Sequence, residues 1–214
     1  ILFVLFALYV GLIWDKLFQD FWTDEIYTLK YFVLVSPHTT VTDYHVPNNH
    51  VFFSLLLNIY SLILDIRTLS EIFQAPYLVR ALPFVFSLGT IFYAYKIGRL
   101  TAGKNAGLLS ASILIFTLSF YEFSLQLRGY SLSLFFVSLL VYLSLSYLTE
   151  GSKYKIFLTI LVVALLSYTI PLNFYFVLGL FCAVIIRSLA VNIFETRSNR
   201  LTSLFSSRSF PLLL

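Results

Sequence analysis

Residues 129–149 read GYSLSLFFVSLLVYLSLSYLT, a run without a single charged side chain. A transmembrane helix needs about 20 apolar residues, so this run is long enough to cross a bilayer once. The whole chain has the same character, because 59% of its 214 residues are hydrophobic, 11% are charged, and its mean hydropathy is +0.89. A soluble domain carries about 25% charged residues and cannot bury this much apolar surface. The sequence therefore predicts an all-α, polytopic membrane protein.

Several other runs are long and apolar enough to be membrane spans. The uncharged stretch 156–186 is too long for one crossing and suits two tilted ones, with Pro171-Leu172-Asn173 as the turn between them. The run at 1–13 has no basic segment before it and no small-residue cleavage site after it, which favours a membrane helix over a signal peptide. The pattern predicts about six transmembrane helices, namely 1–13, 77–97, 105–121, 129–149 and two within 154–190.

Both ends of the chain fall within apolar stretches. The first run starts at Ile1 without a preceding Met, and a new apolar stretch begins near the end, within 206–214. We therefore interpret the chain as a fragment of a longer protein, with a membrane domain at 1–190. Residues 191–214 are then a cytoplasmic tail or the start of the next element.

The positive charges indicate which way the helices run. They fall in three clusters that the predicted helices place on one side of the membrane: Lys96, Arg99 and Lys104; Lys153 and Lys155; and Arg187, Arg197, Arg200 and Arg208. The positive-inside rule makes this side cytoplasmic, so the long loop 14–76 and the short loop 122–130 lie outside. A loop as long as 14–76 between two spans is usually functional.

Within the long loop, the segment 51–65 is apolar but short. Its polar residues recur in steps of three and four, which places them on one face of a helix; they are His50, Ser54, Asn58, Ser61 and Asp65. Such a helix is expected to lie in the membrane interface with its apolar face against the acyl chains.

Two adjacent carboxylates, Asp24 and Glu25, follow the first predicted helix. The residues after them suggest a short helix whose first turn carries the acids, with Thr23 as its N-cap. One interpretation is that the two acids do no more than cap this helix. The other is that one of them is a catalytic base.

All three histidines of the chain, His38, His45 and His50, lie in the same loop, and the last two flank the segment Val46-Pro47-Asn48-Asn49. Their spacing matches no common zinc motif and no cysteine accompanies them, so we predict no metal site. The single cysteine, Cys182, lies in an apolar run and is expected to serve packing.

Arg80 and Arg128 each lie at the outer end of an apolar span. A guanidinium is costly there unless it reaches the lipid headgroups or pairs with an anion. The first alternative is simple snorkelling. The second is that one or both arginines bind a phosphate, for which the planar guanidinium is well suited.

The order of these motifs resembles the N-terminal part of the GT-C superfamily of membrane glycosyltransferases, in particular the branch of protein O-mannosyltransferases and aminoarabinose transferases. The resemblance extends over about residues 1–190. It rests on four features in sequence: the Asp24-Glu25 pair, the segment Asn48-Asn49-His50, the helix start Arg80-Ala81-Leu82-Pro83, and the segment Gln126-Leu127-Arg128-Gly129-Tyr130.

This resemblance implies transfer of a sugar from a polyprenyl-phosphate donor to an acceptor hydroxyl on the outer face of a prokaryotic plasma membrane, with 14–76 as the catalytic loop. Asp24 would be the general base, and Glu25 would orient Asp24 or the acceptor. Arg128, and Arg80 with it, would hold the phosphate. The other substrate-binding residues would be Gln126, Tyr130, His45, Asn48, Asn49 and His50.

Two other classes of function are open at this point. A transporter or flippase would place charged groups on broken helices at the bilayer midplane. The predicted spans carry their charges near their ends instead. A non-catalytic membrane scaffold would tolerate replacement of Asp24 and Arg128. The sequence leaves open the sugar, the acceptor (protein, lipid or glycan) and the need for a divalent metal, and it indicates no nucleic-acid partner.

Overall fold

The computed structural model describes the backbone of residues 1–206 and the side chains of residues 1–148 and 151–190. This part of the chain contains no β-strand, which confirms the predicted all-α class. The predicted tail or next element at 191–214 lies outside the residues whose side chains are described. Ten α-helices follow one another in the described part: α1 (Leu2–Ile13), α2 (Thr23–Thr28), α3 (Pro37–Thr42), α4 (Val51–Ile63), α5 (Leu69–Gln74), α6 (Pro76–Ile115), α7 (Leu118–Phe123), α8 (Tyr130–Glu150), α9 (Lys153–Thr169) and α10 (Asn173–Ser206).

Two tighter turns complete the loop between α1 and α3. A 3₁₀ turn (Trp14–Leu17) follows α1, and a π-helical turn (Leu29–Val33) continues α2. The chain divides into two compact units, Ile1–Phe174 and Tyr175–Leu214. All the predicted site residues belong to the first unit.

Among the described residues, three helices are long and apolar enough to cross a membrane: Pro76–Ile115, Tyr130–Leu148 and Asn173–Ala190. These three candidate spans suit a polytopic membrane protein. The predicted number of six is not confirmed, because α1 has 12 residues and α9 has 17. The predicted turn before α10 is confirmed, since α9 ends at Thr169 and α10 begins at Asn173.

The predicted spans 77–97 and 105–121 are the two legs of α6. The backbone leaves helical geometry at Ala102 and at Gly103, whose φ of 86° falls in the region that favours glycine. The second leg ends at Ile115, so the predicted end at residue 121 is wrong. With 12 residues from 104 to 115, this leg is about 18 Å long, which is short of the roughly 30 Å hydrocarbon core.

The two legs of α6 touch through glycine. A Cβ atom added at Gly98 would lie 2.8 Å from the Cα of Gly107, and one added at Gly107 would lie 2.6 Å from the carbonyl oxygen of Tyr95. Small residues allow helices to approach this closely, which matters where lipid is as apolar as the helix surface and packing provides the attraction. The bend at Gly103 therefore produces a tight helical hairpin.

A core cluster joins α1 to both legs of α6 and to α7. The ring of Tyr9 lies at its centre, with ring centroids 5.5 Å from Phe120 and 6.4 Å from Phe84. This cluster fixes α1, and with it the start of the long loop, against α6. Its buried members are Tyr9, Ile13, Ile91, Ala111, Ile115, Phe120 and Leu125.

Helix α8 packs against α6 on one side and α9 on the other, and α4 contacts both α6 and α9. As a result, the N-terminal ends of α4 and α8 meet. The rings of His50, just before α4, and Tyr130, the first residue of α8, lie 5.3 Å apart. The candidate site is built where these two ends meet α2.

The predicted interfacial helix is α4, and its polar face points into the protein instead of into water. Ser54, Asn58 and Ser61 are buried, and the Asn58 amide donates to the carbonyl oxygens of Val33 and Val35 at 2.6 and 2.8 Å. Asp65, predicted on the same face, follows the end of the helix instead and is exposed. Asn58 therefore holds the loop between α2 and α3, whereas the buried hydroxyls of Ser54 and Ser61 have no hydrogen-bond partner.

Candidate functional site

Asp24 and Arg128 come from the two loops that the sequence predicted to share one side of the membrane, and they form an ion pair. Nη1 of Arg128 lies 2.8 Å from Oδ2 of Asp24, and Nη2 donates to Oδ1 of Asn48 at 2.6 Å. Asn48 in turn donates to the backbone carbonyl of Asp24 at 3.3 Å. The Asp24 side chain is 59% exposed, so this group of three residues is open to solvent on the Asp24 side.

Tyr130 covers one face of the Arg128 guanidinium, with the ring centroid 5.0 Å from Cζ. Its own ring contacts those of His50 and Phe123, at 5.3 and 5.2 Å. The Arg128 side chain is 16% exposed, and its Nε has no hydrogen-bond partner. A cation held in this way by an aromatic ring and two oxygen acceptors is pre-organised for an anion.

His50 supports the turn that carries Arg128. Its Nδ1 accepts a hydrogen bond from the backbone N–H of Gly129 at 2.7 Å. Burial, and in second place the charge of Arg128, lowers the pKa of His50 to about 4. The ring is therefore neutral at physiological pH, as an acceptor must be. The structure gives His50 a supporting role beside the site.

Gly129 is needed for this turn because its neighbours leave no room for a side chain. An added Cβ would lie 2.9 Å from both Cβ of His50 and Cγ2 of Thr169. Real Cβ atoms are not found at such distances from fixed side chains. The close contact between the turn and α4 therefore depends on glycine at this position.

Glu25 points away from solvent, unlike its neighbour Asp24. Its Oε1 accepts from the backbone N–H of Leu127 at 2.8 Å, and its Oε2 accepts from the N–H of Trp22 at 2.8 Å. Trp22 is thus the N-cap residue of α2, and the predicted N-cap at Thr23 is wrong. The physical reason is that Glu25 reaches back over one turn and binds the N–H of residue 22. Glu25 is a buried link between the two loops.

Arg80 lies behind Glu25 and is also buried. Its guanidinium donates to the carbonyl oxygens of Lys16 and Asp20, lies 3.7 Å from Oε2 of Glu25, and stacks over the ring of Phe21. The side chain therefore does not reach the lipid headgroups, and its guanidinium is not free to bind a phosphate, so neither alternative predicted for Arg80 describes its position. Arg80 holds the segment after α1 against the start of α6.

Gln126 lies on the Arg80 side of Glu25 and not beside Arg128. Its Nε2 is buried without a hydrogen-bond partner, and it lines a polar cavity of about 20 Å³. This volume accommodates one water molecule. The other lining residues are Lys16, Gln19, Asp20, Trp22, Glu25, Arg80, Glu122 and Leu125.

The remaining predicted residues lie between α3 and α4. Asn49 is buried and donates to the backbone carbonyls of Thr40 and Asp43, both at 2.9 Å, which gives it a structural role. His45 is exposed and lies between two partners, with Nδ1 2.5 Å from Oδ1 of Asp43 and Nε2 2.8 Å from Oη of Tyr27. The hydrogen bond from His45 lowers the pKa of Asp43.

Sequence reasoning missed four residues of this region: Lys16, Glu122, Tyr27 and Asp43. Lys16 forms an ion pair of 2.9 Å with Glu122, and its side chain is only 10% exposed. The sequence does offer a signal for two of them. Tyr27 follows Asp24 by three residues, and Asp43 precedes His45 by two. The ion pair of Lys16 and Glu122 depends on the tertiary contact between the 3₁₀ turn after α1 and α7, and it has no local signal in the sequence.

In the part of the chain that the structure describes, no three histidine, cysteine, aspartate or glutamate side chains lie close enough together to hold a metal ion. The groups that the structure brings together at the site are a cation, a carboxylate and hydrogen-bonding side chains. Comparison of the chain with models of protein families, with curated proteins and with solved structures gave no match.

Proposed function

We propose that this chain is the N-terminal part of a membrane glycosyltransferase of the GT-C type, which transfers a sugar from a polyprenyl phosphate to an acceptor hydroxyl. The observation that carries the proposal is the contact among Asp24, Asn48 and Arg128. It joins a cation able to bind a phosphate to an exposed carboxylate able to accept a proton. Transfer of a sugar from a phosphate to a hydroxyl needs the phosphate-binding cation and the proton-accepting carboxylate close enough together to contact one bound donor and its acceptor.

In this reaction Arg128 binds the phosphate of the donor. The acceptor oxygen attacks the anomeric carbon, the bond between that carbon and the phosphate oxygen breaks, and its electron pair stays on the phosphate. Arg128 stabilises the negative charge that grows there. The proton of the acceptor hydroxyl goes to the carboxylate of Asp24.

The Asp24–Arg128 ion pair bears on the order of events. When the donor phosphate binds Arg128, the carboxylate of Asp24 loses its ion-pair partner and is free to accept a hydrogen bond from the acceptor hydroxyl. We therefore propose that the donor binds before the acceptor hydroxyl gives up its proton.

A second observation favours a lipid-linked donor. An apolar cavity of about 320 Å³ lies beside Tyr130, whose ring also covers the guanidinium of Arg128. An amphiphile with an anionic head at Arg128 could extend its chain along this cavity. The other lining residues are Leu114, Thr117, Ser119, Phe120, Phe123, Ser124, Ser131 and Leu134.

For the topology we propose six crossings, with the basic clusters in the cytoplasm and the loops 14–76 and 122–130 outside a prokaryotic plasma membrane. The kinked α6 supplies two of the crossings if its short second leg and α7 together return to the outer face. The site at Asp24 and Arg128 then lies on the extracytoplasmic side, within reach of a lipid-linked sugar.

The test is transfer of sugars from a panel of polyprenyl phosphates by membranes that contain the protein. Asp24→Asn and Arg128→Ala are each expected to lower the rate about 100-fold or more. Arg67→Ala is the matched control, because Arg67 is an exposed arginine paired with Asp65 outside the site. Full transfer by both site variants, or none by the unchanged protein with any donor, would contradict the proposal and leave a scaffold role.

A further inference from the structure

Three side chains beside the site form a hydrogen-bonded chain, Asp43–His45–Tyr27. Oδ1 of Asp43 lies 2.5 Å from Nδ1 of His45, and Nε2 of His45 lies 2.8 Å from Oη of Tyr27. The backbone N–H of His45 also donates to Oδ1 of Asp43, at 3.2 Å. The His45 ring is held further by the rings of Tyr31 and Phe32, at 6.2 and 5.6 Å.

The tautomer of His45 decides the direction in which the Tyr27 hydroxyl points its proton. An ionised carboxylate only accepts hydrogen bonds, so Nδ1 of His45 carries a hydrogen and donates it to Asp43. In the tautomer whose one ring hydrogen is on Nδ1, Nε2 is an acceptor and the O–H of Tyr27 donates to it. The Tyr27 oxygen then keeps only lone pairs for a further partner, so that toward the site Tyr27 is a hydrogen-bond acceptor and not a donor.

Tyr27 is close to the catalytic residues of the proposed reaction. It lies three residues after Asp24 on α2, and residues three apart lie on the same face of a helix. Asn48, which contacts both Asp24 and Arg128, follows His45 by three residues. Tyr27 and Asp24 thus lie on one face of α2, and their partners His45 and Asn48 come from the same short segment between α3 and α4.

We propose that Tyr27 binds one hydroxyl of the transferred sugar and selects donors that carry a hydrogen-bond donor at that position. Asp43 and His45 act through Tyr27 as positioning residues. This inference rests on the proposed function and adds to it a residue that distinguishes one sugar from another. A binding site with a fixed acceptor favours a sugar hydroxyl over hydrogen or fluorine at the same carbon, because neither can donate to Tyr27.

The experiment compares polyprenyl-phosphate sugars with their deoxy and deoxyfluoro analogues, one carbon at a time. For the unchanged protein, we expect kcat/KM to be about tenfold or more lower with the analogues altered at one particular carbon than with the parent sugar. Tyr27→Phe should transfer the parent sugar about tenfold more slowly and should not discriminate between hydroxyl, hydrogen and fluorine at that carbon. His45→Leu should weaken the same discrimination, because it frees the Tyr27 proton.

Tyr31→Phe is the matched control, since Tyr31 is in the same aromatic cluster and contacts His45 only through its ring. It should discriminate as the unchanged protein does. Equal discrimination by Tyr27→Phe and the unchanged protein at every carbon would overturn this inference and leave the transferase intact. A protein that transfers no parent sugar would overturn the proposed function itself.

Discussion

The carboxylate of Glu25 accepts a hydrogen bond of 2.8 Å from the backbone N–H of Leu127, across 102 positions of the chain. Its second oxygen accepts from Trp22 and faces the guanidinium of Arg80. One buried side chain thus joins the start of α2, the start of α6 and the turn before α8. Because Asp24 and Arg128 lie on two of these segments, Glu25 sets the distance between them.

Replacement of Glu25 by glutamine is expected to destabilise the protein. One of its two oxygens becomes an NH₂ group that faces an N–H donor, and Arg80 loses its buried counter-charge. A buried donor left without a partner costs about 1–3 kcal/mol. The measurement is the midpoint of thermal unfolding in detergent, which should fall for Glu25→Gln.

Glu71→Gln is the control for Glu25→Gln. Glu71 also accepts from backbone N–H groups at the start of a helix, those of Arg67 and Thr68, but it is exposed and makes no long-range bond. The unfolding midpoint should therefore fall clearly less for Glu71→Gln than for Glu25→Gln. Equal effects of the two substitutions would mean that Glu25 is only a helix cap.

Acid is expected to destabilise the protein through His50. Burial lowers its pKa from 6.5 to about 4, so the unfolded chain binds more protons than the folded protein between these pH values. The stability is unaffected by this residue above about pH 6.5 and falls as the pH drops toward 4. The full loss is roughly 3 kcal/mol.

His50→Asn should remove this pH dependence, since the amide oxygen of asparagine can accept from Gly129 at the place of Nδ1 and does not titrate. Unfolding midpoints between pH 7.5 and pH 4 measure the difference. His38→Asn, at an exposed histidine, should keep the slope of the unchanged protein. A slope that persists in His50→Asn would show that other groups cause it.

Some of this site could be predicted from the sequence. The charge pattern predicted that the segments of Asp24 and Arg128 share one side of the membrane, and the two side chains do meet. The resemblance assigned the base to Asp24, but the local pattern of residues could not tell Asp24 from Glu25. Neighbouring residues on a helix point about 100° apart, and only the tertiary structure decides which of them faces the interior.

Other features depended on contacts that have no local signature. Arg80 is bound by the carbonyl oxygens of Lys16 and Asp20, which lie more than fifty residues earlier in the chain. The end of α6 at Ile115 is marked by neither proline nor glycine, and the apolar run continues beyond it. Hydropathy therefore predicted a longer span than the backbone forms.

Gly129→Ala is expected to displace the turn that carries Arg128. The new methyl group would lie 2.9 Å from Cβ of His50 and from Cγ2 of Thr169, and overpacking of this kind costs about 1–3 kcal/mol. Gly11→Ala is the control, because nothing lies within 4 Å of its added Cβ. Sugar transfer and the unfolding midpoint should both fall for Gly129→Ala alone.

The side of the membrane on which the site lies can be measured without any substrate. In a Cys182→Ser background, Tyr44→Cys and Asn105→Cys each place one thiol at an exposed position, the first in the loop of the site and the second in the basic turn of α6. The positive-inside rule predicts that the turn with Lys96, Arg99 and Lys104 lies in the cytoplasm. In intact cells an impermeant maleimide should therefore label Tyr44→Cys and leave Asn105→Cys unlabelled until the membrane is permeabilised.

Because both positions are exposed, a difference in labelling reports the side of the membrane and not burial. The reverse pattern would put Asp24 and Arg128 in the cytoplasm, where a donor presented at the outer face cannot reach them. Labelling of both thiols in intact cells would mean that the first leg of α6 does not cross the membrane, and that the proposed six crossings are wrong. Only labelling confined to Tyr44→Cys agrees with an extracytoplasmic site.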